Sequence, residues 1–328
     1  MSHSSPSSSS VIGRCSSMCP ESEIRFRMKN DMVHLLEKSD DGRKDVEGAK
    51  RKMVKEYTRP AAGCDHLHPD ILRPPDVLLV TVRYLMDLYK SQKTSRFNAA
   101  FSFVSDRLRA VRQDMILQDI CPKDTLELLE EMIPFYLETE YLCRTRKCDA
   151  YDWKLHSTQL QECLSRWTEA SAELPLGSEC PNIRCAYVLR QIDSPTALLQ
   201  LYIWKNHLPE RLFLDLREII VAFRSNNYVR FFRHLRRIPE VCYPVAAVGA
   251  VQTLRLRAIQ VITSAYKSPG LKLPVTTLAR WLAHENVCEL LAGFSASCSD
   301  VVVISSINVN SPLNNDCKRL LPLLYPSC

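Results

Sequence analysis

Glycine is the scarce residue in this chain, with 8 in 328 positions against 19 prolines. Tight β-turns and phosphate-cradling loops need backbone with φ > 0, which glycine supplies at least cost. So few glycines argue against hairpin-rich folds and nucleotide-binding loops, and leave a helical protein with short, proline-punctuated connections. A secretory leader is also missing, because residues 1–10 are a serine-rich run with no basic start and no apolar stretch. No Asn-x-Ser/Thr acceptor with a permitted middle residue occurs. Ahead of the C-terminal tail, the longest uncharged apolar run, Val241–Leu254, is too short to span a bilayer. The Gly-x-Ser-x-Gly, Gly-x-Gly-x-x-Gly and Gly-x-x-x-x-Gly-Lys signatures are absent. His284-Glu285 begins like a zinc-protease helix, but Cys288 stands where the second histidine ligand belongs. The expectation is a protein that is not an enzyme and has no cofactor, small-molecule substrate or membrane partner.

What is present is ordinary for a soluble protein: 46% hydrophobic and 24% charged residues, with a formal net charge of +6. That charge is compatible with an acidic partner or weak nucleic-acid contact and proves neither. Fourteen cysteines would suggest a disulfide framework in a secreted chain. Without a leader they read as small buried hydrophobes in a reducing compartment. Four groupings invite a metal. Cys15 and Cys19 stand four apart, but lack a second well-spaced pair, so two thiols packed at a helix start are the better reading. Cys64, His66 and His68 read as polar loop residues. The pairs Cys143/Cys148 and Cys180/Cys185 could close a ring, yet Cys185 shares an apolar stripe with Val188, Leu189 and Ile192. No metal site is expected.

Apolar residues recur at helical spacing along most of the chain. The first helix is expected over Glu21–Lys38, with Pro20 ahead of it and Glu21 and Glu23 at its positive end. A charged linker, Ser39–Lys52, follows. Stripes starting at Val77 and at Phe97 give the next two helices. Further helices are read over Asp124–Tyr141, Ser157–Glu169, Ile183–Ile192, Thr196–Asn206, Arg211–Arg224, Tyr228–Ile238 and Val245–Tyr266. Such a succession describes an all-α chain, a right-handed solenoid of helix pairs. After Pro269-Gly270 the pattern changes to two short helices and two short strands, Val301–Ile304 and Ile307–Val309, the order of a winged helix with a small β-hairpin. The expected domains are a disordered serine-rich tail (1–13), the solenoid (14–268), the winged-helix-like end (269–310) and a tail (311–328).

Three stretches carry a resemblance. They are Cys15-Ser-Ser-Met-Cys-Pro-Glu-Ser-Glu23; Val54-Lys-Glu-Tyr-Thr-Arg-Pro-Ala-Ala-Gly63 with Leu72-Arg-Pro-Pro75 and Thr81–Leu85; and Phe103-Val-Ser-Asp-Arg-Leu-Arg-Ala-Val-Arg-Gln-Asp114. In composition and order they resemble the Sac-three/GANP family over about residues 14–296, and most closely a short member of it. Cys15, Met18, Cys19, Pro20, Lys55, Glu56, Tyr57, Arg59, Arg73, Pro74, Asp106, Arg107, Arg109, Arg112 and Asp114 form the motif. Ser16-Ser17 departs from it where the family usually has Pro-Asp, and the likeness stops beyond Ala296. The resemblance implies a PCI-like solenoid ending in a winged helix, used for protein assembly. It also implies a non-catalytic scaffold in centrosome duplication, spindle assembly and mitotic progression, in the cytoplasm, at the centrosome and on the spindle, with the nucleus as a further location. The alternative it offers is an adaptor of transcription-coupled mRNA export that binds protein partners and nucleic acid. The phenylalanine-glycine repeats and C-terminal centrin-binding helix of long members are not in this sequence, which weakens the export role.

Two charged segments remain. In the third motif, Arg107 and Asp114 can join a polar seam between helices. Between Arg224 and Arg237 there are five arginines and no acid. Tyr228, Phe231, Phe232 and Leu235 take the buried face there, so Arg230, Arg233 and Arg237 line solvent, either hydrated with some intramolecular pairs or facing an acidic protein partner or a nucleic-acid backbone. Between Leu282 and Cys317 there is no lysine or arginine. Phosphate contacts dominate nucleic-acid affinity, so such an end binds nucleic acid weakly at most. The expected partners are proteins of a multiprotein assembly.

Overall fold

The computed structural model describes residues 11–38, 52–59, 68–146, 148–174, 180–266, 268, 270–284, 286–292, 299–304 and 307. Most of these are helical, and they divide into two compact units: Met1–Phe135 with Cys148–Pro175, and Tyr136–Lys147 with Leu176–Cys328. The division falls inside one helix, one residue after its internal Pro134, where the backbone lacks a donor.

In the first unit, α1 covers Glu21–Lys29 and stops well short of the expected Lys38. Its end is set by Asn30, whose backbone and side-chain nitrogens both donate to the carbonyl of Phe26, and by Asp31 in the left-handed region at φ 53°. The chain then folds back and carries Glu37 into the interior. Helices α2 (Pro75–Gln92) and α3 (Phe97–Leu117) form an antiparallel pair joined by a short turn. The first half of α4 (Pro122–Thr145) and α5 (Trp153–Glu173) complete the unit. Asp152 caps α5 by accepting from the amides of Lys154 and Leu155. On α3, Val104 and Leu108 are buried on the stripe that starts at Phe97, but α2 buries Leu78, Thr81, Val82 and Leu85 and leaves Val80, placed on the stripe expected from Val77, exposed. Leu129 and Trp167 are buried on α4 and α5. Gly13, expected in a disordered tail, is buried. A β-carbon there would lie 2.4 Å from the carbonyl oxygen of Leu72, so only glycine fits.

The second unit holds α6 (Pro181–Arg190), α7 (Thr196–Ile203), α8 (Glu210–Arg224), α9 (Tyr228–Leu235), α10 (Tyr243–Val248) and α11 (Ala250–Ala265). The single helix expected over Val245–Tyr266 is two, bent by 55° at Gly249. Asn227 caps α9 through the Arg230 amide, and Tyr243 closes its other end by donating to the carbonyls of Leu235 and Ile238. Strand β1 (Lys272–Pro274), helices α12 (Val275–Leu282) and α13 (Val287–Ala292), and strand β2 (Val301–Val303) follow. β2 pairs antiparallel with β1, Leu273 opposite Val302. The expected partner, Ile307–Val309, is not the one used; Ile307 is not in a strand, and 308–309 lie outside the described residues. The reason is that α12 and α13 fold over and leave β1 beside β2.

The expected boundary at residue 268 falls inside one core. Ala258, Ile259 and Ile262 of α11 pack with Leu278, Leu282, Val287, Leu291 and Val302. Arg255, buried on α11, donates to the carbonyls of Leu282 and Ala283 and satisfies the end of α12. Among the described residues, no single helix is long and apolar enough to cross a membrane. Cys15, Cys19, Cys143, Cys163, Cys185 and Cys242 are buried free thiols, while Cys288 is disulfide-bonded.

Phe232 is buried on α9 and Arg233 beside it is exposed. Replacing Phe232 by alanine should destabilise the chain by about 3–5 kcal/mol, against about 0.5 kcal/mol or less for Arg233→Ala. Denaturant unfolding of the two variants measures the contrast; equal midpoints would mean that the faces of α9 are reversed.

Candidate functional site

Three stretches outside the α-helices, 11–20, 53–59 and 68–74, lie against α3 and one another. Backbone bonds tie them together: Arg14 donates to Pro69, Cys15 to Leu72 and Lys55 to Met18, at 2.8–3.0 Å. None of these stretches can satisfy its polar groups through a regular ladder, so side chains from α3 do so.

Asp114 is the hub. One carboxylate oxygen accepts from Lys55 Nζ and the other from Arg73 Nε, each at 2.7 Å, with all three side chains almost wholly buried. Lys55 Nζ also reaches the carbonyl of Ile71, and Arg73 Nη1 that of Met18. One turn further along, Gln118 accepts from the amide of Gly13 and donates to the carbonyls of Arg73 and Asp114.

A second cluster forms two turns earlier on α3. Arg27 of α1 pairs with Glu37, and its Nη1 donates to the carbonyl of Val54, whose amide donates back to Glu37. Arg107 donates to Glu56 at 2.8 Å and to Asp106 at 2.5 Å, and its guanidinium lies over the Phe103 ring. The amides of Tyr57 and Glu56 are taken by Asp106 and Glu23. Arg109 stacks on Tyr57 at 3.9 Å, and Arg112 pairs with Glu162 of α5. Arg107 and Asp114 therefore join separate clusters, and the partner across the seam is extended chain rather than a second helix. The reason is the spacing: seven residues on α3 place them two turns apart, facing different loops.

The remaining motif residues have local duties. Cys15 Sγ donates to the carbonyl of Ser17, Pro20 caps α1, Pro74 precedes α2, and Arg59 is exposed. Burial, and then the nearby Glu23 carboxylate, hold the Cys19 thiol far above its ordinary pKa, so it stays protonated. Among the described residues no three His, Cys, Asp or Glu side chains, those of Cys143, Cys148, Cys180 and Cys185 included, converge on a metal position. Cys185 instead meets Cys242. Cys64, His66 and Glu285 lie outside the described residues, and His68 caps the short turn Pro69–Ile71.

The arginine face of α9 is less bare than its sequence suggests. Arg230 pairs with Glu218, and Arg237 Nη1 lies 3.5 Å from Asp215 Oδ1, which also meets His234 at 2.7 Å. Both acids come from α8, a turn apart and facing α9. Their carboxylates offset charges that α9 alone leaves unbalanced. Arg217 first, and then Arg230, hold the Glu218 carboxyl below its ordinary value. Arg233 makes no ion pair among the described residues. Glu37, Gln118, Asp215 and Glu218 were not singled out as site residues from the sequence. A lone acid or amide beside apolar positions was the only available signal.

Comparison with known proteins decides the family. The model of the SAC3/GANP family matches residues 18–301. The chain belongs to the SAC3/GANP family. Three relatives are SAC3 family protein B of Arabidopsis thaliana, SAC3 family protein 1 of Schizosaccharomyces pombe (strain 972 / ATCC 24843), and Protein xmas of Drosophila melanogaster. They are 27%, 28% and 27% identical over 84%, 87% and 86% of this chain. The aligned region is 17%, 29% and 14% of their own lengths, so this family member spans under a third of each relative. The matched region holds both clusters and the arginine face.

Removing Asp114 leaves two buried cations facing each other. Asp114→Ala should cost about 3–5 kcal/mol, whereas alanine at exposed Arg59 should cost about 0.5 kcal/mol or less; urea unfolding reads both. A second expectation concerns pH. Burial, followed by Arg107, holds the His34 imidazole below its ordinary 6.5. Above that value both folded and unfolded forms are neutral; below it the unfolded chain binds a proton first, so stability falls as pH drops through 6.5 toward the folded value. His34→Gln should make this acid limb shallower than the parent's in melts taken across that range.

Proposed function

We propose that this SAC3/GANP chain is a non-catalytic scaffold of the mitotic machinery, acting at the centrosome in duplication and spindle assembly. The observation that carries the reading is the use made of the motif. Its ionisable side chains are largely spent inside the fold: Lys55, Glu56, Arg73, Asp106, Arg107 and Asp114 hold loops onto α3, and Arg112 pairs with Glu162 of α5. Tyr57, Arg109 and Arg112 also line an open pocket, where Arg109 stacks on Tyr57 and Arg112 is held by Glu162. What such a chain offers to others is surface. A PCI-like solenoid ending in a winged helix over residues 269–310 suits that role, and the order β1, α12, α13, β2 with its antiparallel pairing supports the winged-helix half. The partners in this reading are proteins, met in the cytoplasm and on the spindle.

The export reading draws on the net charge of +6. Against it stands the run from Ala283 to Asp316, without lysine or arginine. An end so poor in cations contributes little to phosphate binding.

Arg233 and Arg236 are exposed and make no ion pair among the described residues, so reversing both to glutamate spares Glu218 and Asp215. The double variant should melt with the parent and lose co-precipitation with its assembly and recruitment to the centrosome in dividing cells. Normal recruitment would discard this face as a docking site. Normal recruitment with polyadenylated RNA retained in the nucleus would favour the export adaptor.

A further inference from the structure

The second unit exposes large apolar side chains on two neighbouring helices. Helix α7 presents Leu199, Tyr202 and Ile203, at 63%, 49% and 60% exposure, spaced three and four residues apart on one face. Helix α8 presents Leu214 and Val221, at 41% and 42%, seven residues apart. The helices run antiparallel and side by side. Arg224, at the end of α8, donates to the carbonyls of Ser194 and Pro195 at the start of α7. Tyr202, near the end of α7, meets the Phe213 ring edge-on at 5.3 Å and shares a hydrogen bond with Arg217. The two ridges therefore form one apolar strip. Single exposed apolar residues are normal on a folded surface, but a strip spanning two helices marks a contact site.

The border of the strip is cationic. Lys205 lies over the Phe213 ring at 5.9 Å, Arg211 sits one turn before Leu214, Arg217 lies between the ridges, and Arg224 closes the far end. The acids nearby are Asp193, Glu210 and Glu218, and Glu218 is already paired with Arg217 and Arg230. An apolar centre with a rim of the opposite charge to its ligand is the layout of a helix-in-groove contact.

We propose that the α7–α8 face docks an acidic amphipathic helix of a protein partner, its apolar side chains on Leu199, Tyr202, Ile203 and Leu214 and its carboxylates on the arginines. A second copy of this chain would bring cations to cations. The chain's own C-terminal leucines, Leu320 to Leu324, follow Lys318 and Arg319 and carry the same sign. A nucleic-acid backbone would gain nothing from the apolar centre. The inference rests on the scaffold reading only in that the ligand is a protein segment, and it supplies the apolar centre that the α9 arginines lack.

The test uses the purified full chain and a labelled synthetic peptide of about five helical turns, leucines on one face and glutamates elsewhere. Its twin has lysine for each glutamate. Fluorescence anisotropy should show the glutamate peptide binding about tenfold or more tighter than the lysine twin. Leu199→Ser with Ile203→Ser should weaken it about tenfold while leaving the melting curve unchanged, since both side chains are exposed. Arg211→Glu, a surface change off the strip's centre, should weaken it less and flatten its salt dependence. Equal binding of the two peptides, or undiminished binding to the serine variant, would overturn the proposal. So would a dimer in sedimentation that the serine variant abolishes. Tighter peptide binding after Leu320, Leu323 and Leu324 are changed to aspartate would give the face to the chain's own tail. Because this assay needs no cell, failure here with recruitment still lost in the Arg233/Arg236 variant removes the docking face alone. Success here with normal recruitment in that variant removes the α9 arginine site instead.

Discussion

A carboxylate without water around it is held between two cations. Asp114 sits on α3 with Lys55 on one oxygen and Arg73 on the other, and each of these comes from a separate stretch outside the α-helices. Desolvating three charges is costly unless geometry and the remaining hydrogen bonds are complete. Here the carbonyls of Ile71 and Met18 accept from Lys55 and Arg73, and the Arg73 amide donates to Asp114. The loops have no ladder of their own, so their path over α3 follows from this pairing. The position of α1 follows in turn, since the Met18 carbonyl that receives Arg73 also receives the Lys55 amide just before α1 begins. The Arg27, Glu37 and Arg107 cluster repeats the device two turns away.

That use of charge bears on function. Ionisable residues crowded into short motifs often signal chemistry. Here their partners are one another and the backbone, and the Cys19 thiol among them is kept protonated by burial. A site that closes upon itself stabilises a shape. In the reading proposed above, contacts with other molecules fall to surfaces of the second unit, which has two kinds: a cationic helix face partly offset by α8, and an apolar strip. Affinity in protein contacts comes chiefly from a dehydrated apolar centre, while charges at the rim speed and select the encounter. The two features are complementary for that reason.

The scarcity of glycine and the recurrence of apolar residues were enough to read an all-helical chain, because a 3.6-residue period is written locally. Phe231, Phe232 and Leu235 on α9, and Val104 and Leu108 on α3, are buried as that period requires. The opening motif, the 54–63 stretch and the 103–114 stretch could be linked to one family from residues alone. Boundaries were less legible. Lys38 was taken into α1 because nothing in the local pattern says that Asp31 turns left-handed to bring Glu37 inward. Gly249 split a helix that composition reads as continuous.

What the sequence by itself determined was the helical class, the faces of α3 and α9 and the family, each carried by residues close together along the chain. The tertiary structure decided which distant groups meet. It joined Asp114 to Lys55 and Arg73 across 59 and 41 residues, paired β2 with β1 rather than with the residues that follow it, and set Asp215 and Glu218 against the arginines of α9. Periodicity fixes which way a side chain points from its own helix. It carries no information about what another segment places opposite, because that depends on the packing of the whole core.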